Sequence, residues 1–223
     1  MLERHKKHLA VTRGWLNGKG YHKAAQALEL VRKLETGFRK DGLTPAFHHQ
    51  LSVARLVMTL SDHLLYPEET ITAAFLHDLL EDHSDIYTKQ DVENLFGVRV
   101  ANAVWALTKK SRGIVKEYEI YFGDMENDEI ASIVKLADRA HNIQTMNGVF
   151  TNEKQKKYVS EVDTWFFPMG KAARRNFPRQ LMAYENLKIL LRCQCKLVNI
   201  YLGVKPAEPP KINLHKQRGN YAT

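Results

Sequence analysis

Apolar residues recur at three- and four-residue intervals along most of the chain, the period of helices that bury one face. From Tyr21 to Phe38 the set is Ala24, Leu28, Val31 and Leu34, and Gly37 with the following KDGLTP breaks the helix. A second helix is expected from about His48 to His63, with Leu51, Ala54, Met58 and Leu60 near one face. Pro67, Glu68 and Glu69 suit the first turn of a third, PEETITAAFLHDLLED, because proline needs no helical N–H partner there and carboxylates favour that end of the dipole. A short helix is expected from Thr88, where Thr88 and Asp91 resemble a capping box with Asp in place of Glu; Gly97 stops it. Further helices are read over Val98–Lys109, Lys116–Glu126, DEIASIVKLADRAHNIQTM and Glu153–Phe166, and a last long one opens at Pro178. No strand alternation, internal repeat or glycine-rich phosphate loop stands out, which excludes P-loop and dinucleotide-binding folds. The expectation is an all-α fold, a compact helical bundle, occupying residues 1–203 as one domain. The remainder, 204–223, carries three prolines and several basic residues and is expected to be a flexible tail.

Composition narrows the setting. At 223 residues, with 44% hydrophobic and 26% charged, the chain can bury one good-sized core. No apolar run nears the roughly 20 residues that cross a bilayer. The N-terminal MLERHKKHLAVTRGW lacks the apolar core of a secretory signal. The expected location is therefore cytoplasmic, with no membrane partner. Cys193 and Cys195 are the only cysteines, and their spacing makes neither a disulfide scaffold nor a zinc ribbon. The net charge of +8 favours anionic partners, whether nucleic acid or phosphorylated small molecules, and does not choose between them. Arg174, Arg175 and Arg179 form a basic cluster, read mainly as solvated surface with phosphate contact as the other reading.

The candidate chemistry lies in four places: His48-His49, His77-Asp78, Glu81-Asp82, and Asp138 within KLADRAHN. His77 and Asp78 fall inside ITAAFLHDLLED, a stretch otherwise built for burial, and buried charge is costly unless paired or metal-bound. Glu81 lies four after His77, and Asp82 four after Asp78, so on a continuous helix each pair shares a face. Two imidazoles and two carboxylates suit a divalent ion such as manganese, iron or zinc, with the acidic pair reaching toward its bound water. Taken singly, each piece has a plainer reading. Asp138 could pair with Lys135 or Arg139, and EDHSD could simply solvate a helix end. Arg139 and His141 are read as structural contacts, and Trp105 and Trp165 as core aromatics.

The order His, His-Asp, Asp is the pattern of HD-type phosphohydrolases. Beyond it, GFRKDG, HHQLSVARLV, TAAFLHDLLEDHSD, FGVRVANAVWALTKK, IVKLADRAHNIQTM and NEKQKKYVSEVDTWFFPMG resemble, in order over about residues 38–170, the hydrolase domain of RelA/SpoT proteins and the stand-alone small alarmone hydrolases. HDLLED and KLADRAHN are the specific segments. The resemblance implies the all-helical HD fold and a (p)ppGpp 3′-pyrophosphohydrolase. It implies Mn2+ (other divalent transition metals being possible) on His49, His77, Asp78 and Asp138, and it matches Glu81 and Asp82 to the acidic pair that activates water. It further matches Asn142 to a residue near the scissile group, Thr145 to a substrate contact, Arg39 and Lys40 to the basic pair lining the nucleotide site, and Lys157 to a phosphate contact. His48 is the weaker histidine, because the family pattern aligns His49 with HQLSVA. Gln50 stands where the family has proline, GDMENDE departs from the pattern, and 171–223 match poorly. No synthetase domain is expected to follow. Two alternatives stay open: an HD phosphohydrolase for a deoxynucleotide, cyclic nucleotide or NADPH, and a nucleic-acid-binding module with an inactive site.

Overall fold

The computed structural model describes residues 2–204 and is helical almost throughout. Its centre is α4 (Pro67–Leu76), whose residues from Thr70 to Leu76 are all buried. A helix apolar on every side must be surrounded, and α4 is: α2 (His22–Leu34), α3 (His48–Met58), α7 (Val98–Leu107) and α9 (Ala131–Thr145) pack against it. The long α12 (Leu181–Tyr201) covers the other side of α9, and α1 (Leu2–Lys19) leans on α2 and α3. The sparse apolar residues of α1 give it no readable stripe; Leu16 is fully buried, with Leu9 and Trp15 packed partly against the core.

Local signals work as their chemistry requires. Pro67 opens α4. Thr88 and Asp91 form the capping box of α6 (Lys89–Phe96), the Asp91 carboxylate accepting from the Thr88 N–H at 2.8 Å. Gly97 ends α6 at φ 94°, which a side chain would strain. The helix expected to reach His63 ends at Met58 instead. The Thr59 hydroxyl donates to the Leu56 carbonyl at 2.6 Å, competing with the backbone ladder, and a 3-10 turn, Ser61–His63, follows.

Three elements differ from the sequence expectation. The helix read through HDLLED is interrupted at His77-Asp78, so α5 (Leu79–Asp82) is a separate short turn. A hairpin pairs β1 (Lys110–Ser111) with β2 (Ile114–Val115) around Arg112 and Gly113, both at positive φ, as a two-residue hairpin turn demands. Two-residue strands are too short to show alternation. After α8 (Tyr118–Glu126), α10 (Asn152–Glu161) continues through a π-helical stretch, Val162–Phe166, into α11 (Phe167–Asn176), so the helical run extends past Phe166. Trp165 packs against Phe122 and Tyr118, as a core aromatic should, but Trp105 is 41% exposed and carries the Lys116 ammonium over its ring. Trp105 lies on the outer face of α7, which the helical period alone did not separate from the inner one. The expected tail falls, from residue 205, outside the described residues.

Candidate active site

Four elements bring the sequence motifs to one point. His49 comes from the first turn of α3, His77 and Asp78 from the break between α4 and α5, and Asp138 from the middle of α9. His49 Nε2 lies 3.1 Å from His77 Nε2 and 3.2 Å from Asp138 Oδ1. His77 Nε2 is 3.0 Å from Asp78 Oδ2 and 3.8 Å from Asp138 Oδ1, and His49 Nε2 is 3.7 Å from Asp78 Oδ2. Ligands about 2.0–2.2 Å from one ion sit ~3.0–3.6 Å from each other, so this spacing fits a single divalent cation. His49, His77 and Asp138 are buried, with ligand atoms all within 4.8 Å of one another; Asp78, its side chain 30% exposed, stands on the open side.

Outer contacts aim these donors inward. His77 Nδ1–H donates to the Ala74 carbonyl at 2.9 Å, which leaves the Nε2 lone pair facing the cluster. His49 Nδ1 meets His141 Nδ1 at 2.9 Å. Burial, then the charges of His49 and Arg39, push His141 down to about 3. A neutral His141 accepts from His49 Nδ1–H and again frees Nε2. Asp138 Oδ2 accepts from the Lys135 ammonium at 3.0 Å and Oδ1 from the Asn142 amide at 2.6 Å. Burial works to raise the Asp138 carboxyl, but Lys135, the hydrogen bond from His49 and the His77 charge hold it well below the usual range. For His77, burial works downward and the charge and hydrogen bond of Asp78 prevail, pushing it up to about 9. The donor set thus attracts positive charge strongly, and a cation bound there takes the place of the proton on His77.

The cluster forms the floor of a cleft of about 640 Å³. Arg39 and Lys40, from the loop after α2, line it with Phe38, Asn142, Thr145, Phe150 and Tyr158, and the Lys40 ammonium lies 5.5 Å from the Phe150 ring centroid. Glu81 and Asp82 line the rim. The two carboxylates make different contacts. Glu81 Oε1 accepts from the backbone N–H groups of Lys109 and Lys110, which ties it to the hairpin. Among the described residues, no side-chain hydrogen bond holds Asp82. Burial, then the negative charges of Asp78, Glu35 and Glu81, push Asp82 up to about 6.

The structure therefore gathers Arg39, Lys40, His49, Asp78, Glu81, Asp82, Asp138, Asn142 and Thr145 around one cleft, with His77 beneath it. Lys157 is exposed on α10, outside the lining residues. Arg139 makes the structural contacts expected of it, pairing with Glu161 at 3.0 Å and lying over Phe166. His48 lines the cleft but turns Nδ1 to Ser52 at 3.3 Å. Three contributors escaped sequence reasoning. Lys135, three before Asp138 on α9, was legible only as a salt-bridge partner; Glu35, paired with His83 at 2.8 Å, and Phe150 carried no motif. Gln50, where the RelA/SpoT pattern has proline, is buried in the cleft wall with its Oε1 unpartnered among the described residues.

The all-helical bundle, with imidazole and carboxylate donors converging at the junction of its central helices, resembles an HD domain. Residues 27–117 match the HD domain family. A probable guanosine-3′,5′-bis(diphosphate) 3′-pyrophosphohydrolase of Synechocystis is 34% identical over 140 residues, 59% of this chain and 17% of that protein. The guanosine-3′,5′-bis(diphosphate) 3′-pyrophosphohydrolase of Aquifex aeolicus is 32% identical over 162 residues, 67% of this chain and 22% of that protein. The bifunctional (p)ppGpp synthase/hydrolase SpoT of Escherichia coli is 30% identical over 153 residues, 65% of this chain and 21% of that protein. The chain thus spans about a fifth of the length of these curated relatives. Among solved structures, a metazoan ortholog of SpoT described as hydrolysing ppGpp shares the fold: TM-score 0.53, 19% identity, 82% of this chain and 97% of that one. Among the described residues, no helix is long and apolar enough to cross a membrane.

Proposed function

We propose that this chain removes the 3′-pyrophosphate of guanosine tetra- or pentaphosphate (ppGpp or pppGpp), leaving GDP or GTP and pyrophosphate. In this reading His49, His77, Asp78 and Asp138 hold Mn2+. The observation that carries the proposal is the convergence of those four donors at the floor of a cleft lined by cationic side chains, with a free carboxylate on its rim. The names of the relatives supply the substrate class. The proposal takes residues 1–203 as one hydrolase unit, acting in the cytosol on a small-molecule nucleotide rather than on nucleic acid.

The reaction adds water to the phosphorus bonded to O3′, breaks the P–O3′ bond and returns a proton to O3′. When bound, a divalent ion supplies Lewis-acid charge that polarises phosphoryl oxygen and lowers the pKa of water. The chain's own residues do the rest. Arg39 and Lys40 bind phosphate charge from the loop after α2. Asn142 holds Asp138 Oδ1 and, with Thr145, borders the position of the scissile group. Asp82, raised to about 6, can take a proton from water and later give it to the leaving oxygen near neutral pH. Glu81 keeps the Lys109–Lys110 backbone against the rim, so that Asp82 faces the cleft from a fixed turn.

The test is purified protein with ppGpp and Mn2+, with products separated by anion exchange. GDP and pyrophosphate in equal amounts are expected. Release of single phosphates from a deoxynucleotide or from NADPH, with ppGpp untouched, would overturn the substrate and keep the HD chemistry. Salt-sensitive nucleic-acid binding without any turnover would overturn both.

A further inference from the structure

On the far side of α9 from the metal cluster lies a second cavity of about 460 Å³, between α11 and α12 and beside the π-helical stretch. Leu136 forms part of its wall. Leu136 and Asp138 are two positions apart, about 200° around a helix, so one helix lines both cavities with opposite faces. The backbones approach closely here. A Cβ on Gly170 would come within 3.2 Å of the Leu136 side chain, and glycine keeps α11 against α9.

Four cations line this cavity, Lys171, Arg174, Lys188 and Arg192, against two carboxylates, Asp163 and Glu185. Glu185 is shared by two of the cations: it accepts from Arg174 and from Lys188, the latter at 3.1 Å. One carboxylate thus holds a guanidinium and an ammonium together, leaving their combined positive charge half neutralised. The remaining wall is aromatic and apolar. Phe166 is buried, and Phe167 has the Arg192 guanidinium 5.4 Å from its ring centroid. Cavities of roughly 300–1,000 Å³ that combine apolar walls with a few convergent polar groups hold small organic ligands. A cationic end built from Arg and Lys suits phosphate, and a guanidinium beside an aromatic face suits a planar ring. π-helical turns interrupt helices frequently at functional sites.

We propose that this cavity is a second ligand site, separate from the cleft above α9, for a phosphorylated small molecule bearing a planar ring, such as a nucleoside diphosphate. Its phosphates lie among Lys171, Arg174 and Lys188, and its ring lies against Phe167 and Arg192. The site does not depend on what the first cleft hydrolyses.

The experiment is calorimetric titration of the full chain with ADP as probe, in chelator, alongside adenosine and tripolyphosphate. Wild type should bind ADP more tightly than either fragment. Lys188→Ala and Arg192→Ala should each weaken it about ten-fold, the scale of one charge-assisted contact. Arg39→Ala, in the first cleft, should leave this binding unchanged. Glu185→Gln is the decisive variant. It frees Arg174 and Lys188 and should tighten ADP about three-fold or more, a gain that damage to the fold cannot produce. Loss of ADP binding in Arg39→Ala with no effect of Arg192→Ala would place the probe in the first cleft and overturn the proposal. Absence of binding would do the same. Equal affinity for tripolyphosphate and ADP would overturn the ring subsite. Weaker binding in Glu185→Gln would overturn the role of the paired cations.

Discussion

His77 and Asp82 share one short stretch of chain and live in different media. His77, 2% exposed, is held from behind by a carbonyl and from the front by a carboxylate. Asp82 stands on the rim, unanchored, where partial burial and then three other carboxylates push its pKa upward. The floor of the cleft is therefore a fixed, electronegative receptacle, and the rim carries a carboxylate raised to about 6. The difference arises at the break between α4 and α5. Had the helix run on, Glu81 would sit one turn above His77, but after the interruption Glu81 is tied to the hairpin while Asp82 has no such tie.

The strongest way to break this comparison is at the floor. His77→Ala or Asp138→Asn should abolish metal binding, and turnover should fall by more than the roughly 100-fold that loss of an outer partner costs. Metal content and turnover are measured on the same preparation, and full activity in metal-free protein would remove the floor from the chemistry. At the rim, Asp82→Asn should keep metal and nucleotide while losing about 10²–10⁴-fold in turnover, the range of a positioned acid–base group. Glu81→Gln should instead act through the hairpin, costing about 1–2 kcal/mol of stability through weakened backbone hydrogen bonds. If the two variants show the same kinetic loss and no difference in melting, the assigned division between them is wrong.

Outer contacts come next. Asn142→Ala and His141→Ala should each weaken metal binding about 10–100-fold without removing a ligand, read by titration against a competing chelator; unchanged affinity would make both contacts incidental. A smaller effect sharpens the rim. Because the folded protein raises Asp82 to about 6, this group's stabilising contribution is fully present below its unfolded value and is lost as pH rises through about 6. In chelator-treated protein, Asp82→Asn should therefore melt higher than wild type at pH 7.5 and alike at pH 3. Turnover of the wild type should show an acid limb, because Asp82 must be deprotonated to accept a proton, and that limb should be absent from the variant. The smallest effect is expected at Lys157→Ala, exposed on α10, where turnover should stay within about two-fold. A large rise in KM there would bring Lys157 into the nucleotide site after all.

Much of this architecture is local and can be read from sequence. The 3.6-residue period places the helices, proline and the Thr88–Asp91 box set their starts, and Gly97 sets an end, because each acts on neighbouring backbone. The convergence of His49, His77, Asp78 and Asp138 is expected for a related reason: histidine and aspartate inside an apolar helix demand a partner, and HDLLED with KLADRAHN carries the resemblance that supplies one. What depends on contacts far apart in sequence is not legible. The 2.9 Å meeting of His49 with His141, the hold of Lys109 and Lys110 on Glu81, and the approach of α11 to α9 at Gly170 join residues whose separation no periodicity encodes. Sequence determined which imidazoles and carboxylates this protein brings to the cleft. Tertiary packing decided which carboxylate is anchored and which is free, since a side chain's role follows from the dielectric and the hydrogen bonds around it.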